Sequence, residues 1–285
     1  SNVEYYSTDM RNGARSGSVT MHDRLTRGRV MSQPIARFGV ISGMIETAEN
    51  LARDYQISRE ACDAFAVKSH QRATQAWKEN RFAEELVPVA VPQKKGDPKI
   101  FAHDEGYRAD ATMETLGALR AIEKGGVVTA GNASQQNDAA AACLVVAEDQ
   151  LEKLGLEPMG YFVGWAAAGC DPARMGIGPV PAVERLFSRT GLGWKDIDLV
   201  ELNEAFASQV LAVLKGWGWT DDDSRRDILN VNGSGISLGL PIGATGVRIL
   251  ANLMYEMKKR DAKYGLETMC IGGGQGIAAV FERAA

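Results

Sequence analysis

The 285-residue sequence predicts an α/β fold in which helices cover a mixed sheet. Three observations predict it. From Met159 onward, apolar stretches of strand length alternate with stretches of helical period. Glycines and small polar residues cluster just where the strand-like stretches end, the place where open α/β sheets bind ligands. Hydrophobic residues make up 45% and charged residues 24%, which suits a globular chain long enough for one large core or two ordinary ones.

The elements follow in order. Residues 1 to about 42 are rich in Gly, Ser, Arg and Met without a clear period and read mostly as loop. From Gly43 to Val87 the period turns helical, with Ile45, Ala48, Leu51, Ala52 and Tyr55 forming one apolar face. Ser58 is placed to cap a second helix carrying Ala61, Phe65, Ala73 and Ala76. Short strand-like pieces broken by Pro and Gly follow in 87–108. Residues 126–157 read strand (VVTA), turn (GNASQQ), then helix (NDAAAACLVVAEDQLEKLG), with Gly155 as its stop.

Beyond that point YFVGWAAAG is a strand, PVPAVERLFSRTG a helix opened by Pro, IDLVELN a strand and EAFASQVLAVLKGWG a helix. ILNVN reads as a strand, and PIGATGVRILANLMYEMKKR as a helix with Val247, Leu250, Ala251 and Met254 inward. LETMCIGGG and IAAVFER close the sheet. The organisation expected is a loop and helical subdomain at 1–125, a segment at 126–157 and a closing α/β domain at 158–285.

Several function classes are excluded. A net charge of −4 argues against nucleic acid as partner, because phosphate backbones need a basic surface. The longest apolar run, Ala139 to Ala147, is too short to span a bilayer, and the N-terminus lacks the order of a signal peptide. A cytoplasmic location and no membrane partner are the resulting expectations. Cys62, Cys143, Cys170 and Cys270 form no CxxC pair, and His22, His70 and His103 fall in no ligand spacing, so no metal is expected.

Four segments carry the chemistry: TAGNAS (129–134), NEAFA (203–207), NGSGISLGLPIGATG (232–246) and CIGGGQG (270–276). In this order and at these separations they resemble the thiolase family, and the resemblance runs the length of the chain. It implies a layered αβαβα fold, with the C-terminal half complete and the N-terminal half incomplete. It also implies acyl-CoA C-acyltransferase chemistry through an acyl-cysteine, in the direction of condensation or thiolysis. No permanently bound cofactor is implied; coenzyme A thioesters are substrates, and the partners are acyl-CoA, coenzyme A and further subunits of a dimer or tetramer.

By that resemblance Cys270 is an acid/base thiol acting at an α-carbon, a role that suits a thiol whose pKa falls near amide donors. The other reading is a buried core cysteine, the one favoured for Cys62, Cys143 and Cys170. The Gly272 amide would form half of an oxyanion hole, or belong to a plain tight turn. Asn203 would hold a water of a second oxyanion hole, or cap a helix. Phe206 would wall the acyl channel, or be core. Ser134 would touch the pantetheine arm, Arg108 the phosphates, and Met44 the pantetheine; for Arg108 and Met44 the plainer readings are a solvated side chain and packing.

Two departures bear on activity. The family's nucleophilic cysteine lies ahead of the point matching Ser1, and Leu240 stands where the family has the histidine of a GHP motif. Leucine neither accepts a proton nor donates a hydrogen bond. The expectation is no turnover by this polypeptide alone, with a partner chain supplying the N-terminal segment. The alternative is a non-catalytic coenzyme A-binding or assembly subunit on a thiolase scaffold.

Overall fold

The computed structural model describes residues 5–7, 13, 16–23, 34–39 and 42–284. The expected loop character of 1–42 therefore lies partly outside the described residues. Two short antiparallel ladders come first: β1 (Tyr5–Tyr6) with β2 (His22–Asp23), and β3 (Val89–Val91) with β4 (Lys99–Phe101). The main sheet contains β5 (Gly160–Gly169), β6 (Leu199–Leu202), β7 (Tyr264–Ile271) and β8 (Gln275–Arg283) in the order β5-β8-β7-β6. β6 and β7 are parallel, and β8 runs antiparallel to both its neighbours. This is the mixed sheet expected.

The helices are α1 (Ile35–Phe38), α2 (Met44–Asp54), α3 (Arg59–Lys78), α4 (Met113–Gly117), α5 (Leu151–Leu154), α6 (Pro179–Thr190), α7 (Ala207–Gly216), α8 (Gly235–Leu238) and α9 (Thr245–Arg260). Side chains alternate across a strand, and β6 uses both faces. Val200 and Leu202 join Ala182, Val183 and Leu186 of α6 and Val210, Val213 and Leu214 of α7 in one core. Leu199 joins Leu253 and Met257 of α9 in another. α6 starts with Pro179 and ends at Gly191, whose φ of 74° only glycine adopts without strain. Its Arg185 and Arg189 donate to the carbonyls of Ala167 and Trp165 on β5, occupying polar groups of an exposed edge strand.

α2 and α3 form a further layer over α7. Leu51, Ala52, Cys62 and Ala66 pack with Ala207, Leu211 and Ala212. Leu51 alone, fully buried, contributes about 2 kcal/mol by removal from water. The Ser58 hydroxyl accepts from the Ala61 amide at 3.1 Å, capping α3 as the sequence predicts.

Six expectations need correction. VVTA is not a strand; it makes one antiparallel bridge, Thr129 to Ala121. Residues 138–147 form neither helix nor strand, and regular structure resumes only with a turn at Glu148–Gln150 and α5. Leu144 and Val145 are 85% and 91% exposed, so no surface among the described residues buries this apolar run and holds it in shape. ILNVN is a single bridge and not a full strand: Val200 and Leu229 pair in parallel, then Asn230 at φ 46° breaks the ladder and its carboxamide bonds the amide and carbonyl of Leu202. Of the four residues expected inward on α9, Met254 is buried while Val247, Leu250 and Ala251 are half-buried; the rest of the inner face is Ile249, Leu253 and Met257 beside Asn252 and Glu256. Buried polar residues displaced the apolar count there, since Asn252 meets Glu85 and Asn232, and Glu256 meets Arg260. Ala61, at the start of α3, is exposed. Cys143, expected in the core, is exposed because its segment is unpacked.

Candidate active site

Cys270 sits at the carboxyl end of β7. Leu266, Thr268 and Cys270 share one face, and Leu266 joins the core formed with α6 and α7. Cys270 lines a small cavity of about 30 Å³ together with Met44 and Leu51 of α2, Phe206, Gln209 of α7, and Met175. Three of the seven residues singled out from sequence (Cys270, Phe206 and Met44) thus meet at one space. Burial pushes the Cys270 thiol up to about 12, and the nearby Cys170 adds to it. A backbone hydrogen bond works in the lowering direction expected of amide donors, but burial outweighs it, so the thiol rests protonated.

The glycines after Cys270 divide into two kinds. A Cβ on Gly276 would lie 2.1 Å from the Gly178 backbone, and one on Gly274 would lie 2.5 Å from the Cys170 carbonyl oxygen. These two let the hairpin of β7 and β8 touch the 170–178 segment, and Cys170 donates its amide to the Gly274 carbonyl at 2.8 Å. Gly272 differs: a Cβ there would meet nothing within 4 Å. Packing does not require its glycine.

Asn203 follows β6 and donates its amide to the Thr268 carbonyl at 3.0 Å, two residues before Cys270 on the adjacent strand. The two residues occupy neighbouring strand ends, yet the Asn203 side chain does not line the Cys270 cavity. It is buried against Gly235, and its Oδ1 has no hydrogen-bond partner among the described residues. An orphaned acceptor of this kind is what an ordered water would satisfy. Asn203 is not a helix cap, because α7 begins at Ala207 with Phe206 in the capping position. Ser134 donates its amide to Ala205 at 2.9 Å, and Ala133 bridges Phe206. Leu240 is half-buried, its amide directed at Gln135 and Asn137.

Arg108 lies elsewhere, on a larger cavity of about 350 Å³ shared with His70, Thr115, Leu116, Ala130 and Gln135. Its guanidinium has no ion-pair partner among the described residues. Its amide donates to His70 Nδ1 at 3.1 Å. Burial, helped by Arg108, holds that imidazole down at about 4, so it is neutral with its proton on Nε2.

Sequence reading missed the residues that hold the site in shape. Glu49 of α2 accepts from the amides of Val127 and Val128 at 2.8–3.0 Å. Asn132 accepts from Thr129 and donates to Asp63, which is itself paired with Arg59. Glu204 accepts from Ser69, Asn230 and the Ile236 amide, fastening α8 beside β6. Only burial distinguishes these from surface polar residues. Among the described residues no group of three or more His, Cys, Asp or Glu is arranged to hold a metal, and no helix is long and apolar enough to cross a membrane.

Comparison with known proteins bears on this arrangement. Residues 1–149 match the family profile "Thiolase, N-terminal domain" and residues 156–283 match "Thiolase, C-terminal domain". The chain is 52% identical over 238 residues to an acetyl-CoA acetyltransferase of Thiocystis violacea, covering 83% of this chain and 59% of that protein. It is 46% identical over 275 residues to one of Chromobacterium violaceum, covering 96% and 67%. The crystal structure of the Bacillus anthracis acetyl-CoA acetyltransferase superposes with a TM-score of 0.88 at 39% identity, covering 98% of this chain and 68% of that one. Human mitochondrial 3-ketoacyl-CoA thiolase in complex with CoA gives 0.84 at 39% identity, covering 99% and 68%. The chain spans about three-fifths of the length of the first of these relatives. It belongs to the thiolase family.

Proposed function

We propose that these 285 residues carry the coenzyme A groove and the proton-handling cysteine of an acyl-CoA C-acyltransferase of the acetyl-CoA acetyltransferase type. One observation carries the reading. Segment 129–134 lines the Arg108 cavity at Ala130 and bridges the Phe206 wall of the Cys270 cavity at Ala133. A long ligand with an anionic head and a thioester end suits that path. Arg108 offers forked donors to phosphate, Ser134 ends the segment that joins the two cavities, and Met44 and Phe206 flank the acyl end.

In thiolysis of a 3-ketoacyl-CoA, the family's nucleophilic cysteine takes the acyl group. The carbon–carbon bond breaks, and the departing acetyl-CoA carbanion takes the Cys270 proton. A thiol that rests protonated suits that step. The Gly272 amide is the donor this reading assigns to the thioester oxygen. The nucleophilic cysteine is not among these residues, so turnover requires a segment supplied from outside them. A dimer or larger assembly accompanies this reading.

Leu240 favours a second reading, a coenzyme A-binding or assembly subunit without chemistry. The two separate in one experiment. Acetoacetyl-CoA thiolysis is followed for the chain alone, and for the chain mixed with the N-terminal segment of a relative, each with Leu240 and with Leu240→His. The enzyme reading expects turnover only in the L240H mixture. The Leu240 mixture should be at least about a hundredfold slower, the scale of one lost oxyanion donor. Cys270→Ala should abolish what L240H restores. Binding of coenzyme A with no turnover in any mixture supports the scaffold reading, and turnover by the unaided chain overturns the account of Leu240.

A further inference from the structure

Gln209 stands out among the residues around Cys270. It is 1% exposed, and neither its Oε1 nor its Nε2 has a hydrogen-bond partner among the described residues. A buried carboxamide without partners is costly, and proteins satisfy such groups with ordered water where there is room. Gln209 lines the same cavity as Cys270, whose volume of about 30 Å³ holds one or two waters. The one hydroxyl on that wall is engaged, since Thr47 donates to the Met44 carbonyl at 2.7 Å. Gln209 and Cys270 are therefore the two unengaged polar side chains facing one small space.

The surroundings hold Gln209 in that direction. A Cβ on Gly176 would meet Gln209 Cγ at 2.6 Å and Leu51 Cδ1 at 2.7 Å, so a glycine is needed for the Gln209 stem to pass. Glu267 of β7 and its neighbour Glu201 of β6 alternate onto the opposite face from Cys270, and the charged groups of α2, α7 and the 170–178 segment are engaged elsewhere. Glu46 caps the Gly43 amide, Glu49 holds Val127 and Val128, Arg53 bonds Asn50, Asp54 pairs with Arg174, and Lys215 bonds the Tyr55 carbonyl. Cys170 is the one titratable group that acts on Cys270. Its own sulfur faces the Arg174 and Met175 carbonyls.

We propose that Gln209 is a positioning residue that holds an ordered water against the Cys270 sulfur, and that this water solvates the thiolate whenever Cys270 gives up its proton. The proposal deepens the reading of Cys270 as the proton-handling thiol and rests on it for its catalytic meaning. Its geometry stands on Gln209 alone. The carboxamide supplies both a donor and an acceptor, so the water keeps a hydrogen free for sulfur.

The test is alkylation of Cys270 by iodoacetamide, in which the thiolate attacks the methylene carbon and iodide leaves. Rates are followed by peptide mass mapping from pH 7 to 11 in the wild-type chain, Gln209→Met and Gln209→Glu. In Q209M the water loses its anchor, and the rate at each pH below the thiol pKa should fall about tenfold, since a hydrogen bond to a charged group is worth at least one pKa unit. The whole profile should move to higher pH. In Q209E, with its acceptor kept and a negative charge added, the profile should also move up while the water stays visible in a crystal structure. A structural role for Gln209 would instead speed alkylation by loosening the cavity, or leave the profile in place; either result overturns the proposal. If Q209M does not fold, a high-resolution crystal structure of the wild-type chain decides, because a dry cavity between Gln209 and Cys270 is incompatible with it. Coenzyme A binding is measured in parallel by calorimetry. Loss of that binding with the Gln209 effect intact would sink the coenzyme A reading and spare this one.

Discussion

Glu267 gives the sharpest quantitative prediction. It lies on β7 in register with Glu201 of β6, so two carboxyl groups sit side by side on adjacent strands. Its Oε2 is buried without a partner, and burial alone raises its pKa from 4.5 to about 8. The unfolded chain releases this proton near pH 4.5 and the folded chain only near pH 8. Between those values the folded state binds more protons, so stability falls as pH rises. Each pH unit is worth about 1.4 kcal/mol, which makes the loss across the window up to about 5 kcal/mol. Water entry trims this, and about 3 kcal/mol is the least expected. Glu267→Gln keeps the shape and removes the charge. Urea unfolding of wild type and E267Q at half-unit steps from pH 4.5 to 9 gives the difference curve, which cancels the contributions of Glu85 and Glu204 and reports Glu267 together with its coupling to Glu201. E267Q should gain on wild type by at least about 3 kcal/mol between the two ends. A flat difference curve, or one of opposite slope, would refute the reasoning.

Other predictions follow from contacts. Gly276→Ala drives a methyl into the Gly178 backbone and should cost more than about 3 kcal/mol or prevent folding, read as melting temperature or soluble yield. Gly272→Ala meets open space and should leave the melting temperature within the scatter of a neutral surface change, about 0.5 kcal/mol. Ser58→Ala removes the cap of α3 and should cost about 1 kcal/mol in denaturant unfolding. In the native chain Cys143, exposed, should be alkylated first and Cys62 last, since burial and then Asp63 push the latter up to about 12; mass mapping of partial alkylation checks the order.

The parts legible in the sequence were those where a local rule and the tertiary structure agree. The Pro179 start and Gly191 stop bracket α6, the glycine run after Cys270 marks the β7–β8 hairpin, and the small residues of 129–134 and 203–207 do meet. What escaped depends on distant partners. The apolar run at 139–147 looks like an element until one asks what buries it, and among the described residues nothing does. α9 turns polar Asn252 and Glu256 inward because Glu85, Asn232 and Arg260 receive them, which no hydrophobic period reveals. At the site, Cys270, Phe206 and Met44 were legible as motif residues. Gln209 and His70 were not, because their importance lies in a missing partner and in a cavity, and neither has a sequence signature.

The central claim is that Cys270 lies at the thioester end of a coenzyme A groove. Protection measures it most directly: the alkylation rate of Cys270 is followed with and without saturating coenzyme A, with Cys143 as the internal reference. The account predicts that coenzyme A slows Cys270 at least tenfold and leaves Cys143 unchanged. Coenzyme A that binds this chain yet leaves the Cys270 rate as it was would contradict it.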